Sequence, residues 1–160
     1  MAKISERLAS TGDAEFIIAS AYVNPPYDPG TGQSRFEQAL TIAPRNGLVL
    51  WNASMQCGHE AGAAYCDDAE FLKNAKEILG TNGAWWLRVA AARKDAGDEA
   101  GALRALQQSS IQPEFDSLFI EHVFLFDRAL AATIAWEYRV RIIAATGFAS
   151  TTPDFLHGFS

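Results

Sequence analysis

The chain has 160 residues, 49% of them hydrophobic, and a formal net charge of −6. A chain of this size buries roughly 70% of its unfolded surface, so it needs neither a metal nor dense disulfides to fold. The acidic balance argues against nucleic acid, whose binding runs on lysines and arginines that neutralise phosphates, and no apolar run is long enough to span a membrane.

Alanine is the commonest residue and β-branched runs are few, so the composition leans all-α. Residues 3–10 read as a short lead-in helix. The start has no apolar core, and the apolar stretch from Phe16 to Val23 is preceded by Asp13 and Glu15, so neither is a signal peptide. Asp13 offers an N-cap for a helix over Ala14 to Tyr22, with Phe16, Ile17 and Ala21 on one face. Asn24 to Gly32, with three prolines and two glycines, is the strongest breaker and reads as a surface loop. Helical spacing returns from Gln33 to Ala43 through Phe36, Leu40 and Ala43, and Pro44 to Gly47 stops it.

A second apolar helix, Leu48 to Gln56, carries Trp51. The segment from Cys57 to Cys66 follows, then a helix capped by Asp67 or Asp68 with Phe71, Leu72, Ala75 and Leu79 on one face. Asn82 to Pro113 reads as two helices folded back around Gly97-Asp98. From Ser117 to Ala145 the pattern stays helical, with a break expected near Ala131 to Thr133 because an unbroken helix of that length is rare. Thr146 to Ser160 is weakly patterned. The expectation is one helical domain over 1–160, with its core at about 14–145 and a weakly ordered tail at 146–160.

Internal similarity organises this run. Asn46-Gly47 and Asn82-Gly83 lie 36 residues apart, each opening a helix that carries tryptophan (Trp51; Trp85 and Trp86). Seven residues before each Asn stands an alanine, Ala39 or Ala75, with Phe36 or Leu72 three before that. A small residue is needed where one helix of a pair crosses the other closely, and a lone pair leaves an apolar face that neighbours must cover.

Trp86, Val89, Ala90, Gly97, Ala102, Leu106 and Pro113 fall at or beside the signature positions of the tetratricopeptide repeat family, and Phe36, Ala39 and Pro44 match the end of an earlier unit. Over residues 33–132 the chain resembles that family, in its small, degenerate, exported bacterial form. The resemblance implies stacked antiparallel helical hairpins, a short α-solenoid with a C-terminal helical cap. Three departures stand out: Arg93 for the usual aromatic, Ser109 for alanine, and an inserted turn in the second unit.

That inserted turn is flanked by the only two cysteines, Cys57 and Cys66. A disulfide closing it would remove roughly 2.5–3 kcal/mol of unfolded-state entropy. Two cysteines at the ends of one loop favour a bridge over two buried thiols, and bridges persist in exported proteins, so the periplasm or another exported location is expected, with the cytoplasm as the alternative. Export would require a signal removed from this sequence. A metal site from Cys57, His59, Cys66 and Asp67 or Asp68 matches no common zinc spacing. His59-Glu60 begins like a metalloprotease helix, but the second histidine is replaced by Ala63. His122 has no partner histidine nearby and reads as a hydrogen-bonded structural residue.

No catalytic residues, metal or cofactor are therefore expected. The candidate is a partner-binding groove on the first helix of each pair, at Trp51, Met55, Leu87, Ala91, Lys94, Glu121, Leu125 and Arg128, recognising a protein or peptide. The alternative for Trp51, Met55 and Leu87 is a place in the core. The functional expectation is a non-catalytic protein-binding module, in its sharper form an immunity or inhibitor protein that neutralises a secreted toxin. The alternatives are an envelope or secretion assembly adaptor and, behind it, a hydrolase using His59, Glu60 and Asp67 or Asp68.

Overall fold

A computed structural model describes residues 2–23, 29–57 and 63–131, with backbone alone at 29–33 and 119. Among these residues the protein is all-α, with eight α-helices and one short 3-10 turn, and its only β feature is an isolated bridge. The expected break near 131–133, the tail, His157, His59 and Glu60 lie outside the described residues. The described residues form two compact units, one containing those up to Pro44 and those from Leu118, the other those from Arg45 to Ser117.

The first unit is built on α2 (Ala14–Val23). Ile17, Ile18, Ala19, Ser20, Ala21 and Val23 are all buried and none of its residues is fully exposed; a helix apolar over most of its circumference belongs in the middle of a core. Asp13 starts it, its Oδ1 accepting from Glu15 N at 2.9 Å and Phe16 N at 3.1 Å. Around it pack α1 (Ala2–Ala9), α3 (Pro29–Ile42) and α8 (Phe119–Ala131). Ser5 on α1 donates to Ser20 O at 2.8 Å. The Tyr22 ring meets Phe36 of α3 and Phe126 of α8 edge-on, with centroids 6.0 and 5.8 Å apart.

Here α3 begins earlier than the sequence suggests. It opens at Pro29, inside the segment read as a loop. Proline lacks only an N–H that the first helical turn cannot use, and its fixed φ suits that turn, so it starts this helix instead of stopping one. At the other end of the unit, Leu118 precedes α8 with φ of 53°, a left-handed conformation unusual for a branched residue. Its carbonyl accepts from His122 N at 3.0 Å and from His122 Nδ1 at 2.6 Å. A carbonyl can only accept, so the Nδ1 of this buried histidine carries a proton.

The second unit contains α4 (Gly47–Ser54), α5 (Ala69–Leu79), α6 (Gly83–Asp95) and α7 (Glu99–Ile111). Each starts on a polar cap. Asn46 Oδ1 accepts from Leu48 N and Val49 N, Asp68 from Phe71 N, Asn82 from Ala84 N and Asp98 from Gly101 N. The cap of α5 is thus Asp68, while Asp67 ends the 3-10 turn Ala64–Asp67. Arg45 binds Asn74 Oδ1 at 3.0 Å and Glu77 Oε2 at 2.8 Å, tying the start of α4 to the far half of α5. The face of α5 expected inward is buried at Phe71, Ala75 and Leu79, with Asn74 buried beside them, while Leu72, expected on the same face, is exposed.

Candidate functional site

The best-defined constellation in the second unit joins α6, α7 and the extended segment after α7. Gly97, at φ of 77°, supplies the left-handed residue that lets the chain reverse between the two helices. Asp98 N then donates to Arg93 O at 2.8 Å, and Arg93 Nη1 reaches Asp98 Oδ2 at 2.9 Å. The Gly101 N–H and, after it, the Arg93 guanidinium hold the Asp98 carboxyl below its ordinary range, and the Arg45 hydrogen bond does the same for Glu77. Both carboxylates lie on the surface. Their stabilising effect is present above the unfolded pKa and is lost as pH falls through the lower folded value.

At the opposite end of this pair α6 approaches α7 very closely. A Cβ at Gly83 would stand 2.8 Å from Ser109 O, 3.0 Å from Phe115 Cδ2 and 3.2 Å from Glu114 O. Ser109 Oγ donates to Gly83 O at 2.8 Å, and Gly83 N donates to Glu114 O at 2.7 Å. The Asn82 side chain completes the joint. Its Oδ1 accepts from Ala84 N at 3.0 Å and Asp116 N at 3.1 Å, and its Nδ2 donates to Asp116 O at 2.7 Å. One buried amide therefore caps a helix and clamps the segment after α7 beside it, next to the isolated parallel bridge between Asn82 and Glu114.

Two tryptophans fasten this pair to its predecessor. Trp85 Nε1 donates to Ser54 Oγ on α4 at 3.3 Å, and Trp86 Nε1 donates to Gly80 O at 2.7 Å. Adjacent side chains on a helix diverge, which suggests one ring on the preceding pair and the other on α7. Trp85 does pack back on α4, but Trp86 turns to the end of α5, and the two rings touch edge-on at 4.8 Å.

The second departure from regular helix pairing is the joint between α4 and α5. Cys57 and Cys66 form a disulfide with Cα atoms 5.6 Å apart. Beside it Tyr65 donates to Ala53 O at 3.3 Å and meets Phe71 edge-on at 5.3 Å. Replacing both cysteines by serine is expected to cost roughly 2.5 kcal/mol by the loop-closure estimate. Urea denaturation of the variant and of the reduced parent should give the same loss. An unchanged midpoint in both would show that Tyr65 and Phe71 hold the joint without the bridge.

The side chains expected to form a groove are not all presented to solvent. Trp51 is buried, as is Leu125 of α8; both belong to cores. The register that turned them outward runs too far round each helix. Met55, Leu87 and Ala91 are half-buried and Lys94 is exposed, all four in the second unit. Glu121 and Arg128 are exposed on α8 in the first unit, where Arg128 pairs with Glu15. Among the described residues no group of three His, Cys, Asp or Glu side chains could hold a metal ion.

Large apolar side chains are exposed at other places, in the first unit at Ile120 and Phe124 of α8 and in the second chiefly along and after α7. Leu103 and Ile111 on α7 are 62% and 69% exposed, and Phe115 just beyond is 67% exposed. On α7 these side chains stand opposite the buried Gly101, Ala102 and Ala105. Periodicity could have found Leu103 and Ile111, two turns apart, once the small residues were recognised as the face packed on α6. No protein-family model, curated protein or solved structure matches this chain.

Proposed function

We propose that the chain is a non-catalytic module that binds another protein, its helix pairs stacked as a short tetratricopeptide-like solenoid with a C-terminal helical cap. The observation that carries this reading is the exposure of Leu103, Ile111 and Phe115 within thirteen residues of the second unit. Scattered surface leucines need no explanation, but three bulky apolar side chains exposed along α7 and the segment that follows it suit a docking face. With a net charge of −6 the chain favours a basic partner, through steering and through the polar rim of the contact. An acidic immunity or inhibitor protein that neutralises a secreted toxin is the form of the proposal that best combines these features. The disulfide supports an exported location, such as the periplasm, where bridges persist.

The test is binding of the purified chain to the product of the neighbouring gene. Leu103→Asp and Ile111→Asp, each with an unchanged helical circular-dichroism spectrum, should weaken that complex by roughly thirtyfold or more, the effect of a hot spot of about 2 kcal/mol. Binding that survives both substitutions together, or no binding by the parent, sinks the proposal. Comparable affinity for several unrelated partners would point instead to an assembly adaptor.

A further inference from the structure

We infer that Asn46-Gly47 is a site of spontaneous deamidation in the folded protein, and that the same dipeptide at Asn82-Gly83 is kept unreactive by the fold. In this reaction the backbone nitrogen of the glycine loses its proton and attacks Cγ of the asparagine. The new N–Cγ bond closes a five-membered succinimide as the Cγ–Nδ2 bond breaks and ammonia leaves with the proton. Water then opens the ring at either carbonyl, leaving aspartate or isoaspartate. Glycine favours the step because no Cβ hinders its nitrogen.

The two sites share sequence and helix position but not the state of that nitrogen. Gly83 N–H is held by Glu114 O at 2.7 Å, and the amide to be attacked is buried, with only 7% of the residue exposed. Its leaving group is tethered as well, since Asn82 Nδ2 donates to Asp116 O at 2.7 Å. Gly47 is the first residue of α4, where an N–H has no partner within the helix. Among the described residues it donates to no acceptor. Asn46 and Gly47 are also both half-buried, so water reaches the joint. Two backbone N–H donors sit on each Oδ1, Leu48 N and Val49 N at Asn46 and Ala84 N and Asp116 N at Asn82, and favour the charge that oxygen gains during attack at both sites; the glycine N–H and the burial separate them.

The consequences for the fold differ in the same sense. Aspartate at position 46 remains an N-cap, and its charge suits the helix start. Isoaspartate inserts a methylene into the main chain and moves the cap away from Leu48 and Val49. Aspartate at position 82 would set a carboxylate oxygen against Asp116 O, where a donor now stands. The fold shields the asparagine whose conversion would open the joint and leaves half-buried the one whose aspartate product keeps its role.

The test is peptide mapping by mass spectrometry after incubating the intact, oxidised chain at mildly alkaline pH. Conversion at Asn46 should exceed that at Asn82 by at least about tenfold, because the Asn82 joint must open before it reacts. In denaturant the two rates should become equal. Gly47→Ala, whose Cβ would stand 3.4 Å from Ile78 Cγ2 in ordinary contact, should suppress the conversion of Asn46 in the folded chain. Equal native rates, faster conversion at Asn82, or conversion of Asn46 in denaturant alone would each overturn the inference.

Discussion

Phe126→Ala is expected to destabilise the first unit by about 4 kcal/mol, while Phe124→Ala on the same helix should change stability by no more than about 0.5 kcal/mol. Phe126 is fully buried and packs edge-on against Tyr22, whereas Phe124 is 63% exposed. Deleting the buried ring removes its transfer energy, leaves a cavity beside α2 and loses the aromatic contact, itself worth about 0.5–1.5 kcal/mol. The two residues lie about 200° apart around the helix, so they cannot share a face. Equal losses for the two variants in urea titrations would mean that α8 docks on a different face. The comparison needs no outside reference, since both substitutions remove the same side chain from the same helix.

That pair also shows where the sequence stops being readable. From Phe119 to Leu130, α8 is apolar nearly all round, with Ile120, Val123, Phe124, Leu125 and Phe126 spread over more than half its circumference. Periodicity reveals a helix there but cannot choose the buried face, so a groove position at Leu125 fits the sequence as well as the core position it holds. On α5 the stripe is legible at Phe71, Ala75 and Leu79 but not at its edges: Leu72 fits it by type yet is exposed, while Asn74 is buried and accepts from Arg45, twenty-nine residues earlier. A contact of that range leaves no local trace. Helix starts are different, because a cap acts within three residues of itself. Asp13, Asn46, Asn82 and Asp98 all stand where the sequence puts a polar residue before an apolar run.

The three departures from tetratricopeptide spacing were legible as anomalies, and each has a structural use. Arg93, standing for an aromatic, closes the α6–α7 turn on Asp98. Ser109, standing for alanine, donates to Gly83 O. The inserted turn carries the disulfide. Two of these replace packing by a polar bond, so side-chain size alone makes them look like defects. The uses depend on where the partners lie in space, which spacing along the chain does not reveal. The proposed docking face is a similar case. It became visible only once Gly101, Ala102 and Ala105 were seen to be buried, which turned Leu103 and Ile111 outward.

Asn82→Ala should cost about 3 kcal/mol, the largest effect expected of any single polar substitution in the second unit. The substitution removes an N-cap, worth about 0.5–2 kcal/mol, and two hydrogen bonds to Asp116, each worth about 1 kcal/mol net. It also strands the N–H of Ala84 in a buried position. Asn82→Asp separates these roles, since a carboxylate still caps Ala84 N but cannot donate to Asp116 O. If the clamp matters more than the cap, the aspartate variant should lose at least half of what alanine loses. If the cap dominates, aspartate should melt close to the parent. Asn46→Ala is the internal control. It removes a cap that likewise accepts from two backbone N–H groups, without the Asp116 clamp, and so should cost only about 1 kcal/mol. A loss at Asn82 no greater than at Asn46 would mean that the segment from Glu114 to Asp116 is held by Gly83 N alone, and that the joint between α6 and the segment after α7 is an ordinary helix start.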